Sequence, residues 1–456
     1  MGCKNCQRLE QQIIQQQKQI ELLLEQQKQI KSLQEQLKRT DLLLKKVAEL
    51  EQRLTKYENS NTPPSAGGSY PTREPSGKKP GGQVGHKGTT REQKEPDEIR
   101  DATPLKECPK CHHALGDPIG SIPFIFEDTP PVQSAKTIQV NQGLYECPCC
   151  GEVLLAEDPQ CPKSGGFGYN LISEVVSMRC DQRLPLRKIQ QALRIQFKLD
   201  LTTATVWGLI KRAAAAGEVE YSKIFREMRK QNVVNADETS RNVNGNRRWL
   251  WVFVSAKAIL YLAGRGRGRK VIEEVLGDDF EGKLGCDGWK PYMFIRLLQR
   301  CWAHVLRESK TLTERVGGPV TLQVHATLKN LFEIAENARK SVLSAQERQR
   351  IHDELNQTLL SVIQLAKEHE ETLKFGKKIE NGMGHWFIAV LYPEIELTNN
   401  VAERALREPV IQRKISGSLR SEDGAHALEV LMTLQETWKL QGKNPRQMLL
   451  QTLQGC

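Results

Sequence analysis

The chain has 456 residues and a formal net charge of +11, with 66 Lys and Arg against 55 Asp and Glu. That length suits roughly three domains with sizeable cores. The basic excess favours an anionic partner such as nucleic acid or a membrane surface. No apolar run approaches the ~20 residues of a membrane span, and the Gln-rich, charged N-terminus is no secretory signal, so a cytoplasmic, nucleoid-associated protein is expected.

Residues 1–58 read as a coiled-coil helix: Leu23, Ile30, Leu37 and Leu44 recur at heptad spacing, Leu33, Val47 and Leu54 fill the partner seam, and Gln26 and Thr40 interrupt it. This pattern predicts a homo-oligomer. Cys3 and Cys6 precede it, either a metal pair or a frayed end. Residues 59–98 form a basic linker, broken by Pro63-Pro64, Gly67-Gly68 and Pro80-Gly81-Gly82. It is either a solvated spacer or an arm that tracks DNA phosphates.

Residues 99–165 carry Cys108-Pro109-Lys110-Cys111 and Cys147-Pro148-Cys149-Cys150. Zn2+ takes four thiolates in a tetrahedron, and each knuckle presents two from one tight turn, so Cys108, Cys111, Cys147 and Cys150 predict a zinc ribbon. Cys149 competes with its neighbours as the fourth ligand. Ile122–Phe126 and Thr137–Val140 are expected to be its strands.

Residues 166–230 read as helices, the last opened by an N-cap threonine near Leu201-Thr202-Thr203. A helix, a short loop and a capped helix suit a helix-turn-helix, with Thr202, Thr203, Lys211 and Arg212 facing DNA. An ordinary helical hairpin is the competing reading.

Residues 231–296 open with Val233-Val234-Asn235-Ala236-Asp237-Glu238, continue through strands over 248–254 and 258–263, and reach a further strand ending in Asp287. Three strands, a helix and a fourth strand are the start of an RNase-H-like sheet. Residues 297–392 are expected to be an all-helical insertion beginning with a helix over 296–307. Residues 393–456 return to the catalytic domain with a helix carrying Glu403 and a last helix over 425–440. The fold class is therefore multidomain α/β.

Two strand-end aspartates and a helical glutamate suit a pair of divalent cations beside a phosphodiester. Asp237 would bridge, with Asp287 and Glu403 each holding one ion. Glu238 competes with Asp237, and strand alternation points the two to opposite faces. His304, Cys301 and Cys286 are read as packing and helix surface.

Together these pieces resemble transposases of the insertion-sequence-sixty-six type, a DDE group. The resemblance runs in order through residues 79–88, the cysteine knuckles, Ala236-Asp237-Glu238-Thr239, Cys286-Asp287-Gly288-Trp289, Cys301-Trp302-Ala303-His304, Asn399-Asn400-Val401-Ala402-Glu403-Arg404 and Gln412-Arg413-Lys414. It implies that Asp237, Asp287 and Glu403 bind Mg2+ or Mn2+. It also implies an RNase-H-like fold interrupted by helices, and double-stranded DNA (element ends and target) as substrate. Water would attack first, and the freed 3′-hydroxyl would then attack target DNA. The position seven residues after Glu403, often basic in DDE enzymes, is Val410 here, and Arg407 would contact DNA instead, with Arg413 and Lys414 beyond it. A catalytically silent DNA-binding regulator and a nuclease without strand transfer are the alternatives, and accessory transposition proteins are possible partners.

Overall fold

A computed structural model describes residues 95–103, 105–126 and 132–455, with positions 34, 40, 46 and 47. The expected coiled coil apart from those four positions, the Cys3/Cys6 pair and nearly all of the linker lie outside these residues. The chain divides into two units, Met1–Glu127 and Asp128–Cys456.

In the first unit, Glu107 bridges Ala114 across a tight turn that carries Cys108 and Cys111. The Cys108 amide donates to the His113 carbonyl and its own carbonyl accepts from His112, each at 2.9 Å. In the second unit, β1 (Leu144–Glu146) and β2 (Val153–Leu155) pair antiparallel around a turn holding Cys147–Cys150. The strands expected over Ile122–Phe126 and Thr137–Val140 do not form: neither stretch pairs into a sheet among the described residues. Pro123 removes a ladder donor in the first, and Phe124 and Ile138 remain exposed, so neither stretch gains the burial that would fix a strand.

Helices α1 (Tyr169–Cys180), α2 (Leu186–Phe197) and α3 (Thr203–Met228) follow. Between α2 and α3, Lys198 takes a left-handed conformation, and the Thr202 hydroxyl accepts from the Thr205 amide to cap α3.

The central sheet contains β3 (Val233–Val243), β4 (Asn246–Val254), β5 (Ile259–Arg265), β6 (Lys283–Cys286) and β7 (Leu297–Arg300), in the order β5-β4-β3-β6-β7. β3, β4 and β5 run antiparallel; β6 and β7 run parallel to β3. Asn244-Gly245, at φ +48° and +74°, makes the two-residue turn between β3 and β4. Helix α4 (Arg269–Leu276) connects β5 to β6.

The helix expected over 296–307 is corrected here: Leu297–Arg300 is the fifth strand, paired with β6 from Lys283–Leu297 to Cys286–Arg300. Its polar members hide the pattern. Buried Gln299 donates to the Trp386 carbonyl at 3.0 Å and accepts from the Ala389 amide at 2.9 Å, so it is core despite its polarity. The helical segment thus begins at Trp302, after the strand.

That segment comprises α5 (Trp302–Val316), α6 (Pro319–Lys340), α7 (Ala345–Lys367), α8 (Glu370–Glu380) and α9 (Ile388–Leu391). It has its own core around Trp302, Leu328, Leu359, Trp386 and Phe387, and the Trp302 indole donates to the Trp386 carbonyl at 2.6 Å. The chain returns to the sheet in α10 (Asn400–Ser416) and α11 (Glu422–Leu440). A further helix, α12 (Pro445–Gln454), follows the one expected to be last.

α11 closes the open edge of the sheet. On β5, the amides of Ile259, Tyr261 and Ala263 donate to Thr437, Thr433 and Glu429 at 3.0, 3.0 and 2.8 Å. Four residues of helix advance about 6 Å and two residues of strand about 6.6 Å, so side chains at every fourth helical position meet every second strand amide. Donors that would otherwise invite another strand are thereby satisfied. Among the described residues, no helix is long and apolar enough to cross a membrane.

Candidate active site

Asp237 lies mid-strand on β3, opposite Val252 of β4. Asp287 directly follows β6, and Glu403 lies in the first turn of α10. Burial pushes the Asp237 carboxyl well above the usual carboxylate range, and the charges of Glu238, Asp287 and Glu403 push it the same way. The acids therefore share one electrostatic neighbourhood. Among the described residues their oxygens do not close into a single coordination sphere.

Glu238 separates from Asp237 as strand alternation requires. One of its oxygens accepts from the Tyr292 hydroxyl at 2.7 Å and the other from Arg267 at 2.9 Å. Arg267 is itself held between the Trp249 and Trp289 rings, at 4.3 and 4.0 Å from their centroids. Burial, then the charge of Asp287, pushes Glu238 up to about 7 against the pull of those two bonds. Its oxygens are engaged, whereas the Asp237 carboxylate accepts from the Glu238 amide at 2.8 Å.

Asn399 ties the elements together. It stands where a helix cap belongs, yet its side chain makes no cap bond to α10. Instead its Nδ2 donates to the Ala236 carbonyl at 2.8 Å and its Oδ1 accepts from Asn235 at 3.0 Å. Its amide donates to the Cys301 sulfur at 3.2 Å, and its carbonyl receives the Glu403 amide at 3.1 Å. Cys301 in turn donates its amide to the Cys286 carbonyl at 2.9 Å, one residue before Asp287. Each acid is thus one to four residues from a single buried junction. Farther along α10, Arg241 donates to the Pro409 carbonyl at 3.0 Å, and Arg183 pairs with Glu408 through two bonds of 2.7 and 2.8 Å.

Gly288 lets Arg300 close over the Asp287 turn. A Cβ at that position would lie 1.9 Å from the Arg300 guanidinium, which donates to the Gly288 carbonyl at 3.3 Å and stacks on Trp386.

The residues expected to touch DNA are dispersed. Thr202 and Lys211 are exposed, and Thr203 and Arg212 are half-buried at the start of α3. Arg407 and Lys414 are exposed on α10, whereas Arg413 turns inward to Thr239 and the Ser240 carbonyl. In the knuckles, the amides of Lys110 and Cys111 hold the Cys108 thiol below its ordinary range, and those of Cys150 and Cys149 do so for Cys147.

Sequence reasoning missed the roles of Asn399 and Tyr292. Asn399 carried a visible signal, a cap-type residue before the Glu403 helix, but that signal pointed to the helix and not to β3.

The family model described as transposase IS66 family matches residues 164–427, more than half of the chain. Three curated proteins of Sinorhizobium fredii (strain NBRC 101917 / NGR234) are similar to it. The uncharacterized protein y4jD is 24% identical, over 68% of this chain and 67% of its own. The uncharacterized protein y4hP is 23% identical, over 70% and 65%. The uncharacterized protein y4qI is 23% identical, over 50% and 49%. The chain thus spans about two thirds of the length of the first two and about half of the third.

Proposed function

We propose, for a chain that belongs to the transposase IS66 family, that Asp237, Asp287 and Glu403 form the cation-binding triad of a DDE transposase that cleaves insertion-sequence ends and joins them to target DNA. The observation that carries this reading is the Asn399 junction, which ties the strand of half-buried Asp237, the residue before Asp287 and the start of the Glu403 helix together; the charges of Glu238, Asp287 and Glu403 also oppose ionisation of Asp237. Such a set favours a cation in its midst. The sheet order, three antiparallel strands followed by two parallel ones, supports an RNase-H-like reading of the domain.

Asp237, Asp287 and Glu403 would together hold Mg2+ or Mn2+. When bound, the ions would activate the attacking oxygen and stabilise the leaving one. The chain itself supplies orientation: Asn399 fixes the start of α10 against β3, and the Tyr292 and Arg267 bonds keep Glu238 turned away. Exposed Thr202, Lys211, Arg407 and Lys414, with Thr203 and Arg212, would contact DNA, and Arg413 would brace α10. Each knuckle offers its thiol pair, Cys108 with Cys111 and Cys147 with Cys150, to Zn2+. The N-terminal heptads would assemble subunits.

The test incubates labelled element ends with the protein and Mg2+ or Mn2+, in parallel with Asp287→Asn. Cleavage with strand transfer, lost in the variant, supports the proposal. Cleavage alone indicates a nuclease, and binding alone a regulator.

A further inference from the structure

The Glu403 carboxylate has a second set of neighbours. Its Oε1 is buried without a hydrogen-bond partner, and so is Nδ1 of His304, 3.7 Å away. That is too far for a direct hydrogen bond, and two orphaned buried polar atoms facing each other are costly unless something lies between them. Cys301 completes the group: its sulfur, His304 nitrogen and Glu403 oxygen all lie within 4.8 Å of one another.

The backbone arranges this convergence. Cys301 is the residue before α5, and His304 lies in the first turn of that helix. The Cys301 sulfur accepts from the Asn399 amide at 3.2 Å, which fixes it at the start of α5 beside the residue that precedes α10. Glu403 arrives from α10, set by the Asn399 junction. The His304 and Glu403 side chains are 33% and 32% exposed, although the two atoms that face each other are themselves buried.

We propose that Cys301, His304 and Glu403 bind one borderline-soft divalent cation of the Zn2+ class, pinning the start of α5 to α10. Thiolate, imidazole and carboxylate together select zinc or cobalt over magnesium, which takes oxygen ligands. Three protein ligands leave a fourth position for water. A tetrahedral ion separates a nitrogen and an oxygen ligand by about 3.4 Å, close to the 3.7 Å already present. The site shares Glu403 with the proposed triad but stands on its own geometry, whether or not the triad cuts DNA.

Zn2+ bound per full-length chain is counted by calorimetric titration in wild type, Cys301→Ser, His304→Ala, His304→Gln and Asp237→Asn. Circular dichroism of the metal-free proteins checks that each is folded. Cys301→Ser retains a hydrogen-bond acceptor for the Asn399 amide, so it keeps the test valid if either His304 variant misfolds. The expected result is one equivalent fewer in the Cys301 and His304 variants and no loss in Asp237→Asn. With Co2+, the thiolate-to-metal charge-transfer absorption should weaken in Cys301→Ser by a share that remains when Cys108 and Cys111 are replaced by Ser. Unchanged stoichiometry in the Cys301 and His304 variants overturns the proposal. Loss of the same equivalent in Asp237→Asn also overturns it, by moving the ion to the triad. Failure of the triad reading would appear separately, as DNA cleavage that survives Asp237→Asn.

Discussion

The side-chain amide of Asn399 donates to the carbonyl of Ala236 across 2.8 Å, joining the residue before Asp237 to the residue that opens the Glu403 helix. Asn399→Ala would strand the Ala236 acceptor and the Asn235 donor in a buried setting, at a cost of about 2–6 kcal/mol for the two groups. It would also free α10 to shift relative to β3. We expect end cleavage to fall on the order of 10²-fold while DNA affinity, measured by gel shift, stays near wild type. Parallel loss of binding and cleavage would argue against a positioning role.

Mg2+ or Mn2+ should raise the melting temperature of the wild-type protein by relieving the repulsion that Glu238, Asp287 and Glu403 exert on Asp237. Asp237→Asn removes the most opposed charge. That variant should be the more stable protein in chelator and should gain little from Mg2+, as read by thermal melts with and without the ion.

Pro409 lies inside α10 and has no amide to donate to the Ala405 carbonyl one turn earlier. The Tyr261 hydroxyl supplies the missing bond, at 2.8 Å. Tyr261→Phe should therefore cost about 1–3 kcal/mol in denaturant unfolding. In a Pro409→Ala background the helix supplies its own donor, and the same substitution should cost much less. Equal costs in both backgrounds would refute this assignment.

Glu429 receives the Ala263 amide at 2.8 Å and pairs with His426 at 3.1 Å. Burial raises its pKa above the carboxylate value of 4.5, against Arg265 and the bonds from Ala263 and His426. The folded chain then binds more protons here than the unfolded one, so stability falls as pH rises above that value. Burial alone would lower His426, but its bonds to Glu429 and Glu218 win and leave it above 6.5. Its contribution is full below 6.5 and is lost as pH rises through the folded value, the same sign. Glu429→Gln keeps an acceptor for Ala263 and should flatten the fall in unfolding free energy from mildly acid to mildly alkaline pH.

Gly288→Ala would place a methyl group 1.9 Å from the Arg300 guanidinium, itself held against Trp386 at 4.5 Å. Arg300 must move, and the turn carrying Asp287 moves with it. We expect a loss of about 1–3 kcal/mol from overpacking, with cleavage reduced more than DNA binding.

The sequence by itself determined the features that depend on near neighbours. The apolar run at Val233, the Thr202 cap of α3 and the knuckle turns at Cys108 and Cys147 are set by local propensity and turn chemistry, and the acids stand in recognisable short motifs. Only the tertiary structure decided that Leu297–Arg300 is a strand, because Gln299 is satisfied by Trp386 and Ala389, nearly ninety positions away. It alone turned the Asn399 side chain from its own helix to β3, and it alone set His304 opposite Glu403. A buried polar group is stable only where a partner meets it, and for these residues the partner comes from another part of the chain.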